Sequence, residues 1–431
     1  MAKNANNKVS IWQSLHNAWK VQDIRKKLIY TFLMLILFRL VGVIPAPGVD
    51  YVRVKSAISG SNLPLLDLVN MMTGSNFSNM TIMAMGITPY INSSIIMQLL
   101  TIAIPALERL SKSGPEGQKK IASITRYVTI VLAVIQAIGL VYSLGYIKSG
   151  WFNTVLVGVS MAAGTALAMW IGERITANGL GNGVSLLIFA GIISNLFNGF
   201  TSLIANAVSA TSLTPWLTLL AVLLFALVMI VVVTFVDMGV RRIQVQYAKR
   251  VTGRKMYGGQ SSILPLKVCS VGVMPLIFAY SFMAFPSTLI QLFGGSESGL
   301  GLWWSRYMNY YSPLYMIVTA LLIIAFTYFY TSISFQPDEM AKNIQQQGGV
   351  IPHVRPGKPT ADFLARTNNR LTLFAALFLA VLATLPNLFT VGLQTSVPFA
   401  ASSLLIAVSV VLETKRQLDD LLVSRNYDTL T

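Results

Sequence analysis

An apolar segment too short to cross a bilayer stands directly before one that is long enough but carries too many helix breakers. Residues 63–74 (LPLLDLVNMMTG) supply about half of the ~20 residues that a spanning helix needs, so this piece must enter the membrane partway and return. After a polar break at 75–79 comes MTIMAMGITPYINSSIIMQLLTIAI, which holds Gly86, Pro89, Asn92, Ser93, Ser94 and Gln98. Such breakers and amides are tolerated at membrane depth only against protein or a water-filled cavity. The hexapeptide GITPYI at 86–91 is echoed by GVMPLI at 272–277. Two Gly/Pro-interrupted spans at matching places in two halves point to a central pathway in a pseudosymmetric membrane protein.

The remaining sequence supports a polytopic chain. Apolar runs recur at about 28–45, 79–104, 121–145, 153–172, 183–204, 216–236, 265–290, 313–335, 371–389 and 397–413. With 54% hydrophobic and 11% charged residues and a mean hydropathy of +0.64, a soluble globular domain is excluded. The first 27 residues are polar and basic and show no cleavage site, so no removable leader is expected. The single cysteine, Cys269, cannot form an intrachain disulfide.

Cations fix the orientation. With the N-terminus inside, 27 of the 32 Lys/Arg fall on inner segments or at inner span ends and 4 on outer loops, and Arg39 lies within span one, placed to snorkel outward. This bias puts both termini in the cytoplasm. Five spans per half is odd, so the second half enters from the opposite side. The expected fold is an all-α membrane protein with ten transmembrane helices in two inverted pseudosymmetric halves of five, residues 1–205 and 206–431. The uncharged link at 206–215 would serve as their hinge, opposite a seam between spans two and seven.

Longer motifs carry a resemblance that covers essentially the whole chain: PAPGVD at 45–50, MGITPYINSSIIMQLL at 85–100, WIGERITANGLGNGVSLLIFAGI at 170–192, RRIQVQYAKR at 241–250, QSSILPLKV at 260–268 and GGVIPHVRPGKPT at 348–360. In these stretches the chain resembles the SecY family of bacterial protein-translocation channels. Two departures are Ile263, where the family usually has His, and Ala400-Ala401-Ser402-Ser403 in place of a Gly-Gly-Thr-Ser run. The resemblance implies a channel of the bacterial plasma membrane that passes unfolded preproteins across it and releases their hydrophobic segments sideways into lipid. It makes 63–74 a plug helix before span two, with Leu63, Leu65, Leu66, Leu68, Val69, Met71 and Met72 as its apolar residues. It assigns the pore ring to Ile87, Ile91, Ile188, Ile277 and Ile406, and the lateral gate to Thr88, Asn92, Met274 and Phe278. A ring of branched aliphatics suits that task, since it closes by dewetting and offers cargo no fixed charge.

The inner loops at 237–264 and 336–370 are longer than a topogenic signal needs, and in the first of them cations alternate with Tyr247 and Tyr257. The resemblance makes them docking sites for the ribosome or the motor ATPase SecA, through Arg241, Arg242, Lys249, Arg250 and, first of all, Arg355. Arginine clusters suit both phosphate-rich RNA and an acidic motor surface. The small membrane subunits SecE and SecG, signal peptides, and membrane lipids complete the implied partners.

Other chemistries lack their residues. The only histidines, His16 and His353, lie outside the spans, no H-E-x-x-H occurs, and Ser185 has no histidine in a span to activate it. There is no phosphate-binding loop of the G-x-x-x-x-G-K-[ST] type, so energy must come from a partner. No enzyme activity, cofactor or metal is expected. The alternative from another class is a secondary transporter with a five-plus-five inverted repeat. Such carriers place ionisable groups near the midplane, whereas Arg39, Glu173, Asp237 and Glu413 all lie toward span ends.

The charge count generates a topology prediction. In a Cys269→Ser background, Lys112→Cys, Arg250→Cys and Lys358→Cys should react with an impermeant thiol reagent from the cytoplasmic side only, and Ser298→Cys from outside only. Labelling of the Arg250 position from outside would overturn the order of spans.

Overall fold

A computed structural model describes residues 19–49, 76, 79–144, 151–209, 214–247, 250–252, 255–257, 261–269, 272, 274–293, 299–308, 312–393 and 401–428. The chain runs α1 (Gln22–Val41), α2 (Thr88–Ala103), α3 (Pro105–Lys112), α4 (Pro115–Leu144), α5 (Trp151–Asn178), α6 (Gly183–Ser209) and α7 (Thr214–Asp237). A β-segment follows, with β1 (Val240–Tyr247), β2 (Arg250–Thr252), β3 (Lys255–Tyr257) and β4 (Ser261–Lys267). The chain then continues as α8 (Met274–Phe293), α9 (Gly299–Tyr307), α10 (Pro313–Ser334), α11 (Pro337–Gln346), β5 (Gly349–Val350), α12 (Lys358–Leu393) and α13 (Ala401–Asp428). The strands depart from the all-α expectation; they fall in the two long inner loops, with β4 running on to Lys267, past the expected start of span seven.

Among the described residues six helices are long and apolar enough to cross a membrane, or seven if α2 and α3, bent by 102° at Ile104, count as one broken span. Helices also stand at the other three expected positions, as α1, α8 and α13. Three boundaries differ from expectation. Span two begins at Thr88, because 79–87 is a series of turns; span seven begins at Met274, because 261–267 is a strand; and the link at 206–215 is mostly helix, with only 210–213 outside the described residues.

The chain forms two compact units, Met1–Thr211 with Leu289–Ser296 and Ile406–Thr431, and Ser212–Thr288 with Glu297–Leu405. In the first, α5 is the central helix. Its buried face carries Gly158, Met161, Ala162, Gly164, Ala168 and Gly172, and small residues let neighbouring backbones approach closely. At Gly164 a Cβ would overlap the Ile82 carbonyl, so the turns before α2 rest directly on α5. The Thr31 hydroxyl accepts from the Leu180 N–H at 3.0 Å, tying α1 to the α5–α6 turn, and Asn182 caps α6 by accepting from Val184 N–H at 3.1 Å. Ile24 of α1, Leu180 and Leu418 of α13 form a buried cluster, so the start of the first helix and the last helix meet beside that turn.

In the second unit α10 packs along α12, and Phe278 of α8 sits edge-on to Phe326 and Tyr330 of α10 at 5.9 and 5.8 Å. The close approach at Gly164 gives a sharp test. Gly164→Ala should cost on the order of 1–3 kcal/mol through backbone overlap, read as a lowered melting temperature in detergent. An unchanged melting temperature would mean that the turns do not rest on α5.

Candidate functional site

The 16 residues of α2 rise only ~24 Å, less than the ~30 Å hydrocarbon core, so a span at this place includes the non-helical backbone before it. That backbone is enclosed by protein. Met80, Thr81, Met83, Ala84 and Met85 are all buried, with Met83 and Ala84 wholly so. Its polar groups find partners: Ala46 N–H donates to Met80 O and Ile82 N–H to Ile44 O, both at 2.9 Å. Around it pack Ala137 of α4 and Val157 and Met161 of α5.

The echoed hexapeptides fold alike. Gly86 and Gly272 adopt the left-handed backbone, φ +51° and +59°, that glycine alone enters freely. Each donates its N–H to the carbonyl three residues back, Met83 at 2.9 Å and Cys269 at 3.4 Å. Two residues later each chain enters a helix, at Thr88 and Met274, with proline as the second helical residue. Ile91 and Ile277 are therefore both fourth residues of their helices, and both are buried. Ile188 and Ile406 stand sixth in α6 and α13 and are likewise buried. Ile87 is the residue before α2 rather than part of it, and its carbonyl takes the first helical bond from Ile91 N–H at 3.1 Å. Ile87, Ile91, Ile188 and Ile406 belong to the first unit and Ile277 to the second.

Of the residues expected at the lateral gate, Thr88 and Asn92 are half-buried one turn apart on α2, while Met274 is exposed and Phe278 buried on α8. The Asn92 amide oxygen is buried without a hydrogen-bond partner among the described residues, an arrangement that costs about 1–3 kcal/mol. The plug residues Leu63, Leu65, Leu66, Leu68, Val69, Met71 and Met72 lie outside the described residues, as does Lys249.

The two basic inner loops, about a hundred residues apart, fold into one subdomain. β1 pairs antiparallel with β4, Gln244 opposite Ile263, and on its other edge with β5, Gln246 opposite Val350. Period-two alternation along β1 buries Ile243 and Val245 and leaves Arg242, Gln244 and Gln246 exposed. Ile243, Val245, Leu266, Ile344, Ile351 and Leu364 form the buried core, joining sheet, α11 and α12. The loop expected at 336–370 is thus largely α11 and the first turns of α12. Arg355 is exposed on a turn whose flanks are anchored: Ile351 is buried, Val354 packs on the core, and the Arg355 carbonyl accepts from the Thr360 hydroxyl at 2.8 Å. Arg241 and Arg242 are exposed opposite Leu266 and Pro265, and Arg250 stands in β2 opposite Tyr257.

Three charged contacts differ from the sequence reading or escape it. Arg39 does not simply snorkel; its guanidinium donates to Ala190 O at 2.8 Å and joins α1 to α6. Arg126, near the inner end of span three, sits within α4 and bonds Glu173 of α5 at 2.7 Å. Lys112 donates to Glu108 at 2.7 Å, which holds that exposed carboxyl below the usual carboxylate range. An ion pair between Arg126 and Glu173 was legible only as opposite charges at the inner ends of consecutive spans.

Helices of spanning length, buried irregular backbone ahead of the short helix α2, and a basic subdomain beside the spans define a polytopic membrane protein. A family model described as SecY matches residues 81–415. The protein translocase subunit SecY of Streptomyces scabiei is 41% identical over 433 residues, covering 95% of this chain and 98% of that one. The SecY subunit of Halalkalibacterium halodurans is 40% identical over 429 residues, covering 97% and 99%. The chain belongs to the SecY family of protein-translocation channels and is a multi-pass membrane protein.

Solved structures share the fold. A protein described as a protein-conducting channel superposes with a TM-score of 0.68 at 20% identity, covering 91% of each chain. Sec61 from a canine ribosome-channel complex gives 0.63 at 18%, again over 91% of each. A SecY protein whose plug is described as stabilising the closed state gives 0.66 at 20%, covering 93% and 92%. Family membership disfavours the carrier reading.

Proposed function

We propose that this chain is the central protein-conducting channel of a bacterial Sec translocon, passing unfolded preproteins across the plasma membrane and releasing transmembrane segments sideways into lipid. The observation that carries the reading is the repeated glycine turn that sets Ile91 and Ile277 at the same helical position in α2 and α8. With Ile188 and Ile406 matched in α6 and α13, it supports two inverted halves of five spans whose isoleucines close one neck, with Ile87 as a fifth member. The seam between α2 and α8, through Thr88, Asn92, Met274 and Phe278, is the lateral gate, and residues 63–74 are the plug. The cluster of Ile24, Leu180 and Leu418 supports both termini lying on one side, the cytoplasmic one by charge.

Energy comes from SecA or the ribosome, docked on the basic subdomain through Arg241, Arg242, Lys249, Arg250 and Arg355. SecE and SecG are the small membrane partners. The anchored turn under Arg355 supports this role, because a rigid base keeps the side chain's ordering cost low.

One pair of variants separates conduction from docking. Ile87→Asn with Ile91→Asn supplies hydrogen-bonding groups to an apolar neck, and destabilising the closed state by ~1.4 kcal/mol would raise resting ion conductance about tenfold. This variant should also accept weaker signal segments. Arg355→Glu should leave the resting channel tight while partner-driven translocation falls. Bilayer conductance and a translocation assay on the same preparations decide it. If the Asn pair is as tight as the parent and handles cargo identically, these isoleucines are packing residues.

A further inference from the structure

Between β1 and the first turns of α12 lies a cavity of about 550 Å³ lined by Arg241, Arg242, Ile243, Ile351, Phe363 and Arg370, among others. Its volume falls within the ~300–1,000 Å³ usual for small-ligand sites. Arg241, Arg242 and Arg370 are exposed at its rim, and among the described residues none of their guanidinium groups makes an ion pair or hydrogen bond. Three unpaired guanidinium groups around one cavity form a site for an anion with several oxygens, since each can offer two parallel N–H donors.

The place of the cavity on the chain selects the anion. α7 is almost wholly apolar and ends at Asp237, four residues before Arg241. On the other wall, Arg370 directly precedes the apolar run that begins LTLFAALFLAVLATL within α12. Both walls therefore sit at the cytoplasmic ends of spans, the level of lipid headgroups. The floor is apolar, with Ile243, Ile351, Phe363 and Leu371. A nucleic-acid backbone gains little from such a floor, whereas the glycerol and first acyl carbons of a lipid would cover it.

We propose that this cavity binds the phosphate headgroup of an anionic membrane lipid, gripped by Arg241, Arg242 and Arg370. Bound lipid tethers the cytoplasmic subdomain to the bilayer surface and steadies the turn that presents Arg355. Arg241 and Arg242 are then shared between the lipid and the soluble partner, which Lys249, Arg250 and Arg355 meet farther from the span ends in sequence. The inference rests on the membrane placement of α7 and α12, not on conduction or docking.

Native mass spectrometry of the full-length protein in detergent, titrated with phosphatidylglycerol or phosphatidylcholine, tests it. One phosphatidylglycerol per chain should be retained in preference to phosphatidylcholine. A phosphatidylglycerol carrying a photoreactive group near the glycerol should label the peptide around Phe363 and Leu371. Combining Arg241→Gln, Arg242→Gln and Arg370→Gln should weaken retention about tenfold or more, given that each charge-assisted contact is worth over a factor of ten. Should that variant fail to fold, the labelled peptide in the parent decides the question, with Arg370→Gln alone as the milder variant. Equal retention of both lipids, or labelling elsewhere, overturns the proposal. Complete displacement by inorganic phosphate would make this a free-phosphate site, and protection by a short RNA but not by excess phosphatidylglycerol an RNA site; either result also overturns it.

Discussion

Hydrocarbon offers no partner for a backbone N–H or C=O, and each such group left unpaired there costs several kcal/mol. A chain that breaks a helix inside the membrane must therefore surround the break with its own atoms. Here the turns at 79–87 are bonded to Ile44 and Ala46, covered by Ala137, Val157 and Met161, and pressed against α5 where Gly164 leaves no side chain in the way. The helices around α2 are arranged so that irregular backbone can exist at all. What that break provides is an abrupt helix start, with an aliphatic side chain at a defined height and a glycine turn beneath it.

The same device occurs twice, at Gly86 and Gly272, with the same φ region, the same three-residue hydrogen bond and the same offset to proline and isoleucine. Repetition of this local geometry supports an inverted duplication better than the three sequence identities between the hexapeptides. Outside the spans, cohesion is of a different kind. The loop subdomain is held by a small core of Ile243, Leu266, Ile351 and Leu364, which leaves Arg241, Arg242 and Arg355 exposed. Burying those few residues lets two distant loops present one basic surface.

Six or seven of the expected spans were legible because apolar runs of membrane length have few other interpretations, and the break in span two was legible from Gly86, Pro89 and the amides that follow. Helix starts were read less well. Gly86 apart, nothing in 79–87 marks it as non-helical until its bonds to Ile44 and Ala46 are known, so the first span-two residue was placed at 79 rather than 88. The sheet was missed because it joins segments a hundred residues apart, and because its alternation in VRRIQVQY buries only Ile243 and Val245 among cations that read as a solvated loop. Arg370 was counted only as one more inner cation. Its place on a cavity with Arg241 and Arg242 depends on pairing between β1 and α12 that no local pattern announces. The isoleucines expected to line the pore were named from family resemblance; their burial, and the matched helical positions of Ile91 with Ile277 and Ile188 with Ile406, came only with the fold.

The central claim is that polypeptide passes through a neck formed by the matched isoleucines. A photocrosslinking amino acid in place of Ile188 or Ile406, both buried, and in place of Leu224, exposed on α7, tests it on a preprotein arrested in transit. Crosslinks from Ile188 and Ile406 to the arrested chain, with none from Leu224, are the result predicted. Crosslinks from Leu224 in their absence at both isoleucines would contradict it.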